Sequence, residues 1–517
     1  MKIEKNNQQQ IKANNDAQHG FFNKMLNKIE YVGNKLPDPI VLFVFIAIII
    51  LLSSFVASLF QLSAVNPVTN EEVVVKNLLS KEGIIEILTG MVQNFSEFPP
   101  LAAVLVIMVG VGLADESGFF SVLMKRAVMS TPKKIIIPTI IFIAIIGNVA
   151  GDATQVVLPP IAAAVLMAFG YHPLVGLVAA YASTLGAFSA NLLIGMTDTL
   201  AAGFTEIGAQ TVDPSYTANP IMNYYFISVS AIFLLIVSTW VTYRFTIPRY
   251  GTYEGEAVEV EEITAQEKRG LKWAGISFVV FILIVLAMII PSNGLLRNPE
   301  NGSIIQDSPL MDAVVPLVMI FFLIPGLFYG IGAKTIRSSK DLAEQLGRAM
   351  STMGPYIVLV FVTAQMLAYF NSSNLGPIIA IKGAHLLENI GFTGVPLFIS
   401  FILFVAFINI LIGSASAKWA ILAPIFVPML MYLGYHPAFT QALYRIGDSI
   451  TNPITPMFPY LVLLLSFAKK YDKNAGLGTL IAGLFPYSIF FGVFWIILII
   501  VWYLLGIPVG PQGPIHL

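Results

Sequence analysis

The chain has no cysteine and few charged side chains. Of its 517 residues only 11% are charged, against about 25% in a typical soluble domain. Without cysteine there are no disulfides, thiolate metal sites or thiol nucleophiles. Lys and Arg (28) nearly balance Asp and Glu (29), so the net charge predicts no polyanionic partner such as a nucleic acid. The HExxH, P-loop and nucleophile-elbow motifs are also missing, so we expect neither an enzyme nor a bound cofactor.

Hydrophobic residues are abundant instead. They make up 56% of the chain, and apolar runs of 18 or more residues recur along most of it, as bilayer-spanning helices require. We therefore predict an all-α polytopic protein in the lipid bilayer of the cell membrane. Two predicted segments are too long for one crossing, which indicates re-entrant or broken helices. The predicted segments are about 40–60, 98–114, 135–170, 174–198, 221–243, 273–291, 313–333, 355–370, 395–433, 438–467 and 477–505.

Basic residues predict which loops face the cytoplasm. Of the 28 cations, 22 fall in the N-terminal tail and in alternate loops, and basic loops stay inside. The uncharged connection 199–220 is then an outer loop, and the chain has a cytoplasmic N-terminus and an external C-terminus. The tail has no early apolar stretch, so it does not resemble a signal peptide. The predicted parts are a tail (1–39), an N-terminal membrane half (40–245), a charged cytoplasmic loop (246–271) and a C-terminal membrane half (272–517).

An internal repeat joins the two halves. Residues 158–173 (LPPIAAAVLMAFGYHP) and 422–437 (LAPIFVPMLMYLGYHP) are identical at nine of sixteen positions, at an offset of 264. After a small gap the offset becomes 261, where Asn148 matches Asn409 and Asn191 matches Asn452. The flanking charges predict that the two copies cross the membrane in opposite directions. Such inverted repeats are typical of secondary transporters and less often of channels, so we favour a transporter over an ion or solute channel.

Polar residues inside the apolar segments are concentrated in the repeat. Asn409, Asp448 and Asn452 lie in or beside Gly-, Ser- and Pro-rich stretches where helices break, and their oxygens suit a hard cation such as Na⁺. We predict an ion site there. The alternative is that Asn409 and Asn452 only cap broken helices.

Arg445 and Asp448 are three residues apart on one helix face, where they can form an ion pair. The functional alternative is that Arg445 recognises an anionic substrate while Asp448 takes a cation or proton. For Lys418 we favour a side chain that extends from a helix end to the membrane surface over one that contacts substrate.

Trp419 has two interpretations, an anchor at the membrane interface or a platform for a substrate ring beside Ser414 and Ser416. In the first copy, Asp198 marks either the outer interface or a functional site, and Asp152 aligns with Ser416. His172 and His436 lie in matching GYHP turns. We predict paired turn elements, with a proton relay as the alternative.

Three motifs carry a family resemblance: NILIGSASAKWAILAPIFVPMLM, YRIGDSITNPITPM and ANLLIGMTDTLAAG, together with the C-terminal GIPVGP. They closely resemble the AbgT family of p-aminobenzoyl-glutamate transporters, from about residue 30 onward. The resemblance implies a bowl-shaped homodimer whose protomers have nine transmembrane helices and two re-entrant hairpins in an inverted repeat. It implies cation-coupled import of p-aminobenzoyl-glutamate, with Na⁺ or H⁺ as the coupling ion, or export of sulfonamide antimetabolites.

The resemblance also implies which residues matter for transport. It supports a functional role for Arg445 and Asp448 and favours the functional interpretation of Asp198 and Trp419. It also adds Pro437, which the sequence alone predicts to be a turn residue. Asp152 lies where some relatives have a different small-acidic pair, so no role is carried over to it. The implied substrate-binding residues are Asp198, Ser414, Ser416, Trp419, Pro437 and Arg445, and the implied ion-binding residues are Asn409, Asp448 and Asn452.

Overall fold

A computed structural model describes residues 39–65, 71–150, 152–253, 262–304, 308–455, 458 and 460–517. These residues form 21 α-helices and one two-stranded antiparallel hairpin. The predicted tail lies outside them except for its last residue. In chain order the elements are α1 Pro39–Leu59, β1 Ser63–Val65, β2 Glu72–Val74, α2 Lys81–Ser96, α3 Pro99–Glu116, α4 Phe119–Met129, α5 Ile136–Ile146, α6 Asp152–Ala168, α7 Pro173–Gly186, α8 Met196–Ala209, α9 Tyr224–Val241, α10 Ile247–Tyr250, α11 Ala265–Ile289, α12 Pro309–Asp312, α13 Val314–Ala333, α14 Ser339–Ser351, α15 Gly354–Ser372, α16 Leu375–Asn389, α17 Val395–Leu411, α18 Ala415–Tyr432, α19 Pro437–Ile450, α20 Tyr460–Tyr471 and α21 Leu477–Leu504.

The helices confirm an all-α polytopic membrane protein. Within the described ranges, eight helices are long and apolar enough to cross a membrane, or nine if one bent pair counts as a single span. That pair, α4 and the segment 133–149, bends by 113°. The two segments that were predicted to be broken are broken: 3₁₀ turn Gly147–Ala150 separates α5 from α6, and extended residues 412–414 separate α17 from α18.

Exposure separates lipid-facing helices from the centre. On α11, Val279, Val280 and Leu283 are each at least half exposed, as suits a helix that faces lipid. In contrast, every residue of α7 and of α19 is buried. These two helices are shielded from lipid by their neighbours, so charged side chains on α19 are sheltered in the protein.

The two copies of the repeat have matching helices. Both α7 and α19 have 14 residues, begin at proline and follow a histidine whose Nδ1 accepts a hydrogen bond from the backbone N–H of the second helix residue. The first and the last residues of the two helices are both separated by 264 positions. Gly447 lets α19 approach α17, because a Cβ there would lie 2.5 Å from the Ile402 carbonyl oxygen.

Three predicted boundaries are wrong for the same reason. Segments 174–198 and 438–467 are not single spans, since α7 ends at Gly186 and α19 ends at Ile450. The connection 199–220 is not only a loop, because α8 occupies its first half and packs against α3, α18 and α19. Chain length and hydropathy do not reveal where an apolar segment turns back inside the protein.

Candidate functional site

Helices α8, α18 and α19 meet around a small cavity of about 30 Å³. Both copies of the repeat contribute to it, and the α7–α8 connection adds Phe188 and Ser189. The backbone N–H of Ser189 donates to Ser449 Oγ at 3.2 Å, which ties the break of the first copy to α19. The lining residues are Phe188, Ser189, Thr197, Leu200, Ala201, Phe204, Ala415, Ser416, Trp419, Tyr444, Arg445 and Asp448.

Arg445 forms an ion pair with Asp198 and not with Asp448. Its Nη2 donates to Asp198 Oδ1, and both side chains are less than 5% exposed. The other carboxylate oxygen, Asp198 Oδ2, accepts from the Gly195 backbone N–H at 2.8 Å, so the acid also caps the start of α8. The predicted local pair between Arg445 and Asp448 is therefore wrong. The bond joins α19 of the second copy to α8 of the first.

The guanidinium of Arg445 keeps unused donors. Its Nε and Nη1 are buried and have no hydrogen-bond partner among the described residues. Leaving buried charged donors unsatisfied is costly, and a guanidinium fork matches a carboxylate with two parallel N–H bonds. The cavity wall therefore presents a site that is suited to an anion.

Asp448 pairs with Lys418. The Nζ of Lys418 lies 2.7 Å from Asp448 Oδ1 and also donates to Asn409 Oδ1. Lys418 is 1% exposed, so the prediction that it extends to the membrane surface is wrong. The reason is that the first turn of α18, where Lys418 lies, is packed inside the protein between α8 and α19.

The three predicted ion-site residues lie together. The Nδ2 of Asn409 donates to Asn452 Oδ1 at 2.7 Å and to Thr451 Oγ1 at 2.9 Å. Asn452 Nδ2 in turn donates to the Leu185 carbonyl oxygen at 3.3 Å, near the end of α7. Asn452 thus helps to cap a helix of the other copy, as the capping interpretation predicts, and the ion site stays a prediction. The atoms that could bind a cation are oxygens, which a hard cation prefers. In the described part of the chain there is no cluster of three His, Cys, Asp or Glu.

Trp419 is buried in the protein, not at a membrane interface. It is 1% exposed, and its ring stacks on Tyr444 with centroids 4.2 Å apart and planes 22° apart. Its Nε1 donates to Thr205 Oγ1 at 2.9 Å. The interface-anchor interpretation is therefore wrong, and the two stacked rings form one wall of the cavity.

The remaining predicted residues lie at helix starts. Ser414 caps α18 by accepting from the Ala417 N–H at 3.3 Å, and its Oγ is 3.2 Å from Ser416 Oγ. Ser416 lines the cavity. Pro437 is the first residue of α19, so it is about 12 Å along the helix from Arg445 at 1.5 Å per residue. Asp152 is the first residue of α6.

The two GYHP histidines are turn elements, as predicted. His172 Nδ1 accepts from the Leu174 N–H and His436 Nδ1 from the Ala438 N–H, both at 3.2 Å. Burial lowers the pKa of His436 to about 4, so its ring is neutral near pH 7 and remains an acceptor.

Four residues of the site were not predicted to belong to it: Lys418, Tyr444, Thr205 and Gln441. Thr205 Oγ1 donates to Gln441 Oε1 at 2.6 Å, and Gln441 Nε2 donates to Asn223 Oδ1 at 2.8 Å. This chain of bonds holds Trp419 in place. Gln441 and Tyr444 precede Arg445 and Asp448 by four residues, so a stripe of polar residues on one face of α19 was the signal that sequence reasoning passed over.

The cavity is too small for an organic substrate in this conformation. A volume of about 30 Å³ is roughly the share of one water molecule, whereas ligand pockets usually measure about 300–1,000 Å³. A larger cavity of about 870 Å³ between α4, α5, α11 and α13 is lined mainly by apolar side chains and contains none of the predicted site residues. Substrate access to Arg445 therefore requires the helices around the small cavity to move apart.

Comparison with known proteins agrees with this architecture. The model of the "AbgT putative transporter family" matches residues 24–517. The chain is 39% identical to the p-aminobenzoyl-glutamate transport protein of Escherichia coli (strain K12) over 489 residues, 94% of this chain and 96% of that protein.

Two solved structures are also similar. One is the Alcanivorax borkumensis YdaH transporter, with a TM-score of 0.88, 37% identity, and 92% of this chain and 100% of that chain covered. The other is Neisseria gonorrhoeae MtrF, described as illuminating a class of antimetabolite efflux pumps, with a TM-score of 0.89, 41% identity, and 95% and 100% of the two chains covered. The chain belongs to the AbgT family of membrane transporters.

Proposed function

We propose that this protein is a secondary transporter that carries p-aminobenzoyl-glutamate, or a related aromatic anion, across the cell membrane. The observation that carries the proposal is the buried guanidinium of Arg445, beside the stacked rings of Trp419 and Tyr444, which has two donors without a partner among the described residues. The relative from Escherichia coli is named for transport of p-aminobenzoyl-glutamate. That molecule has an aromatic amide for the ring wall and two carboxylates for cationic donors.

Asp198 has a stated role in this proposal. It holds Nη2 of Arg445 and leaves the N–H groups of Nε and Nη1, on opposite edges of the guanidinium, for single hydrogen bonds to the substrate, so it orients the guanidinium before substrate arrives. Ser416 supplies a hydroxyl to the lining of the cavity. Ser414 and Pro437 shape the starts of α18 and α19, and their effect on transport is through helix position.

Transport is coupled to a cation in our proposal. The carboxylate of Asp448 with the amide oxygens of Asn409 and Asn452 makes the oxygen-rich cluster that Na⁺ would bind, and H⁺ is the alternative coupling ion. Further parts of the proposal are a homodimer, a cytoplasmic N-terminus and an external C-terminus. The loop charges support the orientation.

Export of sulfonamide antimetabolites is the second candidate. It is supported by the similarity to MtrF, whose description concerns antimetabolite efflux pumps, and by the aromatic lining of the cavity, which suits a sulfonamide ring. The two candidates differ in direction and in substrate and share one site.

The test is transport by purified protein in sealed liposomes. We expect uptake of labelled p-aminobenzoyl-glutamate that requires a Na⁺ or pH gradient, and competition by unlabelled substrate but not by glutamate alone. Arg445→Lys keeps the charge but loses the fork, so it serves as the matched variant and should transport slowly. Substrate flux that is independent of every ion gradient and as fast as through a channel would contradict the proposal of a carrier. Loading the same liposomes with labelled sulfonamide distinguishes export from import.

A further inference from the structure

We propose that the ammonium group of Lys418 is the resident cation of the second-copy break, and that Na⁺ binds at Asn409 and Asp448 only after Lys418 has left them. This inference rests on the cation coupling proposed above and adds a competitor that is part of the chain. It assigns a role in ion coupling to a lysine on α18.

The contacts of Lys418 are those of a bound cation. Its Nζ takes one carboxylate oxygen from Asp448 at 2.7 Å and the amide oxygen of Asn409. The side chain is 1% exposed, and Asp448 is equally buried. The same Asp448 oxygen also lies 3.1 Å from the Tyr444 hydroxyl. An ammonium group and Na⁺ both require oxygen ligands here, so they compete for the same atoms.

The charge balance points in the same direction. Asp448 and Lys418 neutralise one another, and the neighbouring Arg445 and Asp198 form a second neutral pair. Adding Na⁺ while Lys418 stays would leave an uncompensated positive charge in a buried region, which is strongly unfavourable. Once Lys418 has left, Na⁺ restores neutrality around Asp448.

This exclusion gives the carrier two alternative states. With Lys418 in place, the first turn of α18 is fixed to α19 through Asp448 and to α17 through Asn409. With Na⁺ in place, that connection is open and α18 is free to move away from the cavity. A ligand that prefers one of two states shifts the population toward it. Ion binding and cavity opening are thereby linked.

The experiment is thermal stability of the full-length protein in detergent, titrated with NaCl against choline chloride at constant ionic strength. A ligand that binds only the folded state raises its melting temperature. Lys418→Met removes the ammonium and keeps a side chain of similar length. We expect the Na⁺ concentration at half-maximal stabilisation to fall by ~10-fold or more relative to the parent protein.

Controls separate competition from a general effect. Lys382→Met removes an exposed lysine on α16 and should leave the Na⁺ midpoint unchanged. The double variant Lys418→Met with Asp448→Asn removes both charges and should lose the Na⁺ response. If Lys418→Met is recovered folded from Na⁺ buffers but not from choline buffers, that also supports the proposal.

Two results would overturn the proposal. One is a Na⁺ midpoint in Lys418→Met that equals that of the parent protein, and the other is failure to recover folded Lys418→Met from Na⁺ and choline buffers alike. Failure of the proposed coupling is a separate result. It would be seen as liposome uptake by the parent protein that does not depend on any cation gradient, whatever the melting curves of Lys418→Met show.

Discussion

The two copies of the repeat share a scaffold and differ in chemistry. In the first copy, the Asn148 amide donates to two backbone carbonyls, those of Ile145 and Thr184, at 3.2 and 2.8 Å. In the second copy, the Asn409 amide donates to side chains and accepts from a lysine. The Asn148 amide is thus bonded to neutral backbone groups, whereas the Asn409 amide is bonded to side chains, one of which is the charged Lys418.

Helix register makes the contrast sharper. Counted from the histidine caps at an offset of 264, Arg445 corresponds to Tyr181 and Asp448 to Thr184, both uncharged. The first copy contributes Asp198 to the site, and this acid pairs with Arg445 of the second copy. The repeat thus supplies two similar helices, of which only the second carries Arg445 and Asp448, and one ion pair joins the copies.

The largest effect is expected from breaking that ion pair. Asp198→Asn leaves Arg445 buried without its counter-charge, which should destabilise the protein by ~3–5 kcal/mol. The double variant Asp198→Asn with Arg445→Gln should lose less than the sum of the two single changes. Thermal unfolding in detergent measures all three variants. Additive losses would mean that the pair does not join the copies energetically.

Next in size is the effect on transport. Arg445→Gln should slow uptake of labelled p-aminobenzoyl-glutamate in liposomes ~100-fold, because it removes charge-assisted bonds to a carboxylate. Its counterpart in the first copy, Tyr181→Phe, should stay within ~2-fold of the parent protein, since the Tyr181 hydroxyl is buried without a partner among the described residues. Size-exclusion profiles check that both variants are folded. If both variants lose uptake equally, the two copies do not differ in their role in transport.

The two asparagines offer a smaller, matched comparison. Asn148→Ala and Asn409→Ala each delete buried hydrogen bonds and should cost ~1–3 kcal/mol of stability. Only Asn409→Ala should weaken the Na⁺ response, by ~10-fold, in the titration against choline. An equal shift of the Na⁺ midpoint in both variants would place the ion elsewhere.

The smallest effects concern the two histidine caps. His172→Ala and His436→Ala should each cost about 1 kcal/mol, the usual value for a lost N-cap. Because burial lowers the pKa of His436 from 6.5 to about 4, the unfolded chain binds a proton first as pH falls. The contribution of the neutral His436 ring to the free energy of unfolding is therefore complete above pH 6.5 and declines toward pH 4.

The cap prediction is checked by thermal unfolding at several pH values. His436→Asn keeps an acceptor without titrating, so its stability should fall less between pH 7 and pH 4 than that of the parent protein. For His172 burial also lowers the pKa, but Asp472 opposes the shift, so His172→Asn should change the slope less. If stability changes with pH equally in the parent protein, His436→Asn and His172→Asn, neither histidine cap causes the pH dependence.

Much of the fold was predictable because hydropathy and breaks are local properties. Long apolar runs predicted the spans, and Gly-, Asn- and Pro-rich stretches predicted the breaks at 147–150 and 412–414. Helices α2, α8, α14 and α16 were not predicted as helices, because they are shorter, and α2 and α14 also carry charges.

The site was predictable in composition and not in pairing. Arg445, Asp448 and Asn409 stood out as ionisable or amide groups within apolar segments. Their partners did not, because Asp198 is 247 residues from Arg445, whereas Asp448 offered a nearer partner on the same helix. Lys418 was assigned to the surface because sequence gives the distance from a helix end but not what packs around that end.

In the proposed mechanism, Arg445 of the second copy recognises a substrate carboxylate. The most direct measurement compares liposome uptake of p-aminobenzoyl-glutamate with uptake of its diamide, in which both carboxylates are neutral, by the parent protein and by Arg445→Gln. We predict that the parent protein prefers the diacid by ~10-fold or more and that Arg445→Gln loses this preference. A preference for the diacid that persists in Arg445→Gln would contradict the account.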